Sequence, residues 1–161
     1  MCLGSRAGKV DQMNNPKERT PEAIVEEMRQ ESPEDADVAQ KLIDWSLECR
    51  AEISVTPGEW NIVPMFRQGA VLFAPFAIQK DNARALYMRV ENIRGTPPFD
   101  TAQKWQEFCE RLDNMRGVHF KPTPKGNYYR AEYSDLANDE ALKEFQETIA
   151  WSIEQVKTAQ H

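Results

Sequence analysis

Two residues with the chemistry of a nucleophile and a base stand ten positions apart in this chain. Cys109 carries a thiol, and His119 carries the only imidazole besides that of the C-terminal His161. A thiol can form covalent intermediates when a neighbouring imidazole removes its proton. Cys109, however, falls on an apolar helical stripe with Trp105 and Leu112, where a thiol normally packs without reacting. We therefore expect packing at Cys109 and not catalysis.

Residues 59–93 have the pattern of three strands between two helical segments, the order in which the catalytic core of many DNA-cutting enzymes begins. That core needs an acid near the second strand and an Asp/Glu-x-Lys motif on the third, to bind Mg²⁺ and to position the attacking water. None of the nine lysines has an acid two positions earlier, and residues 71–78 contain no carboxylate. Glu91 is followed at the lysine position by Ile93. The sequence therefore predicts a sheet without this active site.

Other catalytic and metal-binding patterns are missing from the sequence as well. The three cysteines, Cys2, Cys49 and Cys109, are far apart and form no Cys-x-x-Cys pair of the kind that binds structural zinc. The seven scattered glycines form neither a Gly-x-Ser-x-Gly elbow nor a phosphate-binding loop. We therefore favour a protein that is not an enzyme and that uses no metal and no cofactor.

Basic and aromatic residues interleave in residues 119–130, "HFKPTPKGNYYR". Such stretches can hold single-stranded nucleic acid by charge and ring stacking. The candidate nucleic-acid contacts are Lys121, Lys125, Tyr128, Tyr129 and Arg130. The alternative is a hairpin with one solvated face whose tyrosines cover the sheet edge, and it is favoured because no ribonucleoprotein-type motif is present.

Four further residues, in two different elements, are candidates for a ligand or partner surface. Tyr87, Arg89 and Glu91 alternate along the third predicted strand, so we expect them to share a polar face that would line any pocket on the sheet. In the alternative, a neighbouring element covers this face and Arg89 pairs with Glu91 or a nearby acid. Trp151 lies almost opposite the apolar stripe of the last helix, where a tryptophan often marks a protein contact. The alternative is that N-terminal helices cover it.

The elements that must position these side chains follow from caps and periodicity. Thr20 and Ser32 are each followed by a proline, so each is expected to be the N-cap of a helix. Residues 1–19 have little apolar content and are expected to form a tail. In the strand run, Pro64 marks an edge or a bulge, and the apolar residues 71–78 are expected to form one covered strand.

The C-terminal half adds two longer helices and a strand. Asp100 or Thr101 caps the first of these helices, and Asn138 caps the last. Between them, residues 117–133 predict a hairpin, or a loop with a fourth strand, that turns at "PKGN". The resulting order, α-α-β-β-β-α-β-α, predicts a single α+β domain over residues 20–161, with helices packed on an antiparallel sheet of about three to five strands.

Composition limits the class of protein. The 161 residues carry a net charge of −6, and residues 50–130 have 12 Lys/Arg against 8 Asp/Glu, whereas the remainder has 8 against 18. An anionic partner would therefore meet the middle of the chain. The cysteine usage indicates reduced thiols in a cytoplasm, and no apolar run approaches the roughly 20 residues of a membrane helix.

The region from about Leu42 to Val156 resembles an uncharacterised bacterial domain family. The resemblance rests on "WNIVPMF", "AVLFAPFAI", "ALYMRVENIRGTPPFD", "WQEFCERLDNMRGVHF" and "EFQETIAWSIEQV". In the family, a strand with an F-(V/I)-P-like element is followed by an apolar strand and by a strand in which apolar and polar residues alternate. The sequence PPF comes next, and the last helix contains a tryptophan. The resemblance implies an α+β fold and no catalytic residues, since the family has no assigned activity. Its likeness to accessory domains of bacterial defence and DNA-transaction proteins is a fold-level analogy.

These observations favour a non-catalytic binding or accessory domain of the bacterial cytoplasm that acts through protein contacts. The alternative is a nucleic-acid-binding domain with a degenerate nuclease-like fold that uses residues 119–130. A homodimer is also expected, because the first helix has only Ile24, Val25 and Met28 as apolar anchors. A helix of about ten residues is marginal alone in water, so it must dock on its own domain or, across a two-fold axis, near Trp151 of a second copy.

Overall fold

The computed structural model of the chain describes residues 20–56, 61–80, 85–122 and 128–160. Its helices are α1 (Pro21–Glu31), α2 (Pro33–Glu48), α3 (Val90–Arg94), α4 (Ala102–Asp113), α5 (Tyr133–Leu136) and α6 (Asp139–Ala159). Its strands are β1 (Glu52–Thr56), β2 (Asn61–Gln68), β3 (Val71–Phe73), β4 (Phe76–Gln79), β5 (Leu86–Arg89), β6 (Lys121–Pro122) and β7 (Tyr128–Ala131). The expected tail 1–19 and the expected turn "PKGN" lie outside the described residues.

The strands form one antiparallel sheet in the order β1-β2-β4-β5-β7-β6, and β3 pairs with the far end of β2. The predicted α+β fold with an antiparallel sheet is therefore confirmed. The sheet has seven strands in the described residues. This exceeds the three to five expected, because α2 ends early enough for β1 to form and because residues 71–79 divide into β3 and β4. The expected hairpin is present as β6 and β7.

Four of the six described helices, α1, α2, α4 and α6, begin where a side chain satisfies free backbone N–H groups of the first turn. The Thr20 hydroxyl accepts from the Ala23 N–H at 3.1 Å, and the Ser32 hydroxyl accepts from the Asp35 N–H at 3.3 Å. The other two expected caps are also present, with Thr101 and not Asp100 as the N-cap of α4, and Asn138 as the N-cap of α6.

The first helix finds its apolar cover within its own chain. Ile24, Val25 and Met28 are at most 3% exposed and belong to the main core. Arg29 links α1 to α2 through a 2.9 Å contact with the Asp37 carboxylate, an exposed pair of the kind that adds little stability. Docking of α1 therefore gives no reason by itself to expect a second copy.

Phenylalanine rings hold the sheet and the helices together. Six of the seven phenylalanines of the chain are fully buried. Phe76 of β4 meets Phe145 of α6 edge-on, with ring centroids 5.4 Å apart. Phe99, in the segment before α4, meets Phe108 of α4 in the same way at 5.3 Å. Such pairs add about 0.5–1.5 kcal/mol beyond the burial of their surface, so the helix layer is fixed on one face of the sheet.

A β-bulge divides the apolar stretch that the sequence presents as one strand. Ile62 pairs with Ile78, and Phe66 pairs with Phe73. Between these pairs β2 advances by four residues and its partner by five (66 − 62 against 78 − 73), so the partner has one extra residue at Ala74–Pro75. Pro64 lies across from this bulge, where β2 changes partner from β4 to β3, and the expectation of a bulge at this proline is therefore met.

Side chains satisfy the polar backbone groups that the bulge removes from the ladder. The Ala74 N–H donates to the side-chain carbonyl of Asn92 at 2.9 Å. The Ala74 carbonyl accepts from the Arg89 guanidinium at 3.2 Å, and the Pro75 carbonyl accepts from the Arg89 N–H at 2.8 Å. Because a buried unpaired backbone group is costly, Arg89 and Asn92 stabilise the bulge.

Candidate functional site

The register of the sheet brings together candidate residues that are far apart in the sequence. Lys121 pairs with Arg130, Arg130 pairs with Tyr87, and Tyr87 pairs with Ala77. Residues directly opposite each other on neighbouring strands point to the same face. Met88, next to Tyr87, lies in the main core under the helices. The row Lys121–Arg130–Tyr87, which we call the basic row, therefore lies on the face of the sheet away from the helices.

An open cavity of about 500 Å³ lies at the end of the basic row. Its lining residues are Ala85, His119, Lys121, Arg130, Glu132 and Asp135. The Asp135 carboxylate accepts from the His119 backbone N–H at 3.1 Å, and the His119 ring nitrogen Nδ1 lies 3.4 Å from the same oxygen. Lys121 and Arg130 form no ion pair with any residue that the structure describes.

The expectation that Tyr87, Arg89 and Glu91 alternate along one strand is wrong for Glu91. The strand β5 ends at Arg89, and Glu91 lies in α3. The helix begins there because Asn92 turns back to the bulge at Ala74. Arg89 does not pair with Glu91 either, since its guanidinium donates to the Ala74 carbonyl. The apolar face of this segment is nevertheless buried as expected, with Leu86 and Met88 at 0% and Val90 at 9% exposure.

The residues proposed as nucleic-acid contacts do not share one face. Tyr129 pairs with Met88 and packs against the main core, so it lies on the opposite face from Lys121 and Arg130. Lys121 is exposed and Arg130 is half-buried, both in the basic row. The backbone of Tyr128 pairs with Arg89, and its side chain lies outside the described residues. Lys125 also lies outside them.

Cys109 and His119 line different cavities and form no catalytic pair. Cys109 borders a space of about 50 Å³ with Leu112, Asp113, Phe120 and Tyr129. Burial, and then the charge of Asp113, raise the pKa of the Cys109 thiol. A raised pKa keeps the thiol protonated, whereas a nucleophilic cysteine needs a lowered one.

Trp151 packs against Phe108 of α4 and against Phe99 in the segment before it. Its ring is half-buried and meets Phe99 at 5.7 Å and Phe108 at 6.2 Å between centroids. The guanidinium carbon of Arg111 lies 4.0 Å from the centroid of the Trp151 ring. The tryptophan therefore has an intrachain packing role, together with a partly exposed ring that carries a cation.

A second tryptophan repeats this arrangement on α4. The half-buried ring of Trp105 lies parallel to that of Phe108, 5.9 Å away at 10° between planes. The guanidinium carbon of Arg94 lies 5.4 Å from the Trp105 centroid. We call Arg94, Trp105, Arg111 and Trp151 the aromatic–arginine surface. Of these residues the sequence indicated only Trp151 as a contact, because the helical spacing of Trp105 indicated a buried stripe and nothing in the sequence places an arginine over either ring.

Beside this surface, α4 and α6 form an open groove of about 470 Å³. Its lining residues are Glu107, Glu110, Arg111, Asn114, Met115, Glu144, Glu147 and Thr148. Four carboxylates against one guanidinium give the groove a negative charge. Glu107 contacts Lys104 at 3.1 Å and Arg111 at 3.8 Å, so part of this charge is balanced at the border with the aromatic–arginine surface.

A scan of the sequence against models of protein families found no match, and neither did searches of curated proteins and of solved structures. In the described part of the chain, no group of three or more His, Cys, Asp or Glu side chains is arranged to hold a metal ion. No helix among the described residues has the length and apolar character needed to cross a membrane.

Proposed function

We propose that this chain is a non-catalytic binding domain of the bacterial cytoplasm that acts through protein contacts at the aromatic–arginine surface. The observation that supports this proposal is the pair of partly exposed tryptophans, each with an arginine over its ring. Tryptophan and arginine are the side chains most enriched among residues that dominate protein–protein affinity.

The surface is held in place before any partner arrives. The rings of Phe99 and Phe108 support Trp151 from below, and Phe108 also supports Trp105. Each immobilised long side chain costs about 0.5–1.5 kcal/mol on association. Arg94 and Arg111 already lie over aromatic rings in the free chain. Less side-chain freedom is therefore lost when a partner binds.

The charge of the neighbouring groove suggests the character of the partner. Glu110, Glu144 and Glu147 line the groove and form no ion pair with a described residue. Complementary charge around an apolar centre favours orientation and rapid association. We expect a partner with an apolar or aromatic centre and a basic border. A second copy of the chain meets this requirement only in an arrangement that places its Arg94 and Arg111 against the acidic groove across a two-fold axis.

Site-specific photo-crosslinking in the native cells tests the proposal. A crosslinking amino acid is placed at Ala102 or at Glu154, exposed positions three residues from Trp105 and Trp151 on the same helix faces. The matched control is Glu34, an exposed acid on α2. We expect discrete adducts from positions 102 and 154 only, at twice the chain mass for a homodimer. No adduct from either position, or the same adducts from position 34, overturns the proposal.

A further inference from the structure

The cations of the basic row differ from two other described cations on the same face of the sheet, Arg67 and Arg89, which both have bonded partners. At the opposite end of this face, the Arg67 guanidinium is bound by Glu52 at 3.1 Å. Lys121 and Arg130 stand directly opposite each other on β6 and β7, which places their Cβ atoms about 5 Å apart. Neither forms an ion pair with a described residue. Two adjacent cations held without an acidic partner are a binding feature for an anion.

The acids in the same cavity do not neutralise these cations. Asp135 accepts a hydrogen bond from the His119 backbone, and the His119 ring is also beside it. Glu132 lines the cavity but lies within ion-pair distance of neither Lys121 nor Arg130 among the described contacts. The net charge of −6 does not oppose an anionic ligand here, because residues 50–130 carry four more basic than acidic side chains (12 − 8).

The shape of the site favours an extended ligand with repeated phosphates. The cavity is open and is lined by two residues of the basic row, Lys121 and Arg130, so an extended ligand that enters it meets both cations. Arginine presents a fork that matches phosphate oxygens, and lysine adds a point charge. Tyr87 adds an aromatic residue to the same row. Basic grooves with aromatic residues are the usual platform for single strands.

We propose that Lys121 and Arg130, in the cavity at the end of the sheet, bind the sugar–phosphate backbone of a single-stranded nucleic acid. This site shares no residue with the aromatic–arginine surface, so its failure would leave the proposed protein contact untouched. The site contacts backbone and not base edges, so it binds strands without sequence preference.

The test is fluorescence anisotropy of a labelled oligothymidylate of about twelve nucleotides, within the usual site sizes, titrated with the full chain at about 50 and 200 mM salt. Each phosphate contact on a single strand contributes about 0.7 to the slope of log affinity against log salt. Two contacts contribute about 1.4, so a fourfold rise in salt weakens binding by about sevenfold through these two residues. Absence of binding by the wild-type chain at 50 mM salt overturns the proposal.

A matched pair of double variants identifies the site. Lys121→Gln with Arg130→Gln, and Lys143→Gln with Lys157→Gln, each remove two positive charges and change the net charge from −6 to −8 (−6 − 2). The first pair is expected to lose the sevenfold salt effect, and the second pair, on exposed positions of α6, is expected to keep it. Equal losses in both pairs overturn the proposal. Lys121→Gln alone should remove about half of the salt slope that the two residues contribute. Because Lys121 is exposed, this single variant still tests the site if the double variant fails to fold.

Two further measurements, one with a Glu132 variant and one with a competing polyanion, test whether the site binds nucleic acid. Glu132→Gln removes a negative charge that repels the phosphates of the ligand, so oligothymidylate should bind several-fold more tightly. Unchanged or weaker binding contradicts the assignment. Poly-glutamate should compete poorly at equal charge concentration. If poly-glutamate displaces the oligonucleotide as well as unlabelled oligothymidylate does, the site recognises acidic protein segments and the assignment to nucleic acid fails.

Discussion

At position 50, glycine should give a more stable protein than alanine, because Arg50 occupies a backbone conformation that favours glycine. The helix α2 ends with the Ala51 N–H bonded to the Ser46 carbonyl and the Arg50 N–H bonded to the Leu47 carbonyl, both at 2.9 Å. This pair of bonds defines a Schellman motif. The motif requires a left-handed residue just after the helix, and Arg50 has φ = 67°.

The expected gain can be worked out from two opposing effects. A left-handed conformation costs an ordinary residue about 1–2 kcal/mol, because its Cβ approaches the following carbonyl oxygen. Glycine avoids this cost but loses more backbone freedom on folding, which offsets about 0.4–1 kcal/mol. The backbone effect alone is therefore a gain of about 0.5–1 kcal/mol in the free energy of unfolding, measured between glycine and an uncharged residue that has a Cβ atom.

Arg50→Ala is the control that isolates the effect of the Cβ atom. A cation near a helix C-terminus contributes about 0.3–1 kcal/mol through the helix dipole, and both substitutions remove it. The alanine variant keeps the Cβ, so the glycine variant should exceed it by about 0.5–1 kcal/mol in urea unfolding followed by circular dichroism. For a chain of this size, such a gain corresponds to a rise of about 1–4 °C in Tm. An alanine variant as stable as the glycine variant would refute the reasoning.

Three further predictions concern hydrogen bonds and backbone conformation, and the same urea unfolding checks each. Asn92→Ala should lower the free energy of unfolding by about 1–2 kcal/mol, because the Ala74 N–H loses its acceptor; Asn92→Asp keeps a side-chain oxygen there and should cost less, so an equal cost would contradict the role of this bond. Tyr133→Phe should lower the free energy of unfolding by about 1 kcal/mol, because it removes a hydroxyl that donates a hydrogen bond. The hydroxyl lies 2.9 Å from the Gln79 carbonyl and 3.0 Å from the Ala85 carbonyl and donates to one of them. An unchanged stability would show that the hydroxyl is dispensable. Gly69→Ala should cost about 1 kcal/mol, since Gly69 has φ = 62° although its Cβ would meet no atom; a neutral result would mean that the turn relaxes.

Features that depend on neighbouring residues could be read from the sequence. The four N-caps and the class of fold were predicted correctly, because a cap is decided within three residues and a helical stripe within two turns. The same local reasoning did not anticipate the end of α2, because Arg50 stands where glycine is the usual signal. The strand β1 that follows was therefore missed.

Features that depend on register could not be read in this way. Glu91 was placed on a strand because the alternation of residues 86–91 continues past Arg89. In the structure the strand ends at Arg89. The reason is the bulge at Ala74, fifteen residues earlier, whose backbone groups form hydrogen bonds with the side chains of Arg89 and Asn92. Tyr129 was grouped with Arg130 by proximity in the sequence, whereas adjacent strand residues point to opposite faces.

The two proposed sites can act independently because they lie on different layers of the fold. Arg111 and Trp151 belong to the helices that pack on one face of the sheet, whereas Lys121 and Arg130 lie in a row on the other face. Sites that share no partners normally behave additively. Neutralising Lys121 and Arg130 should therefore leave the adducts formed from Ala102 unchanged. If those adducts disappear, a single partner spans both faces, and the nucleic acid and the protein contact would have to be parts of one assembly.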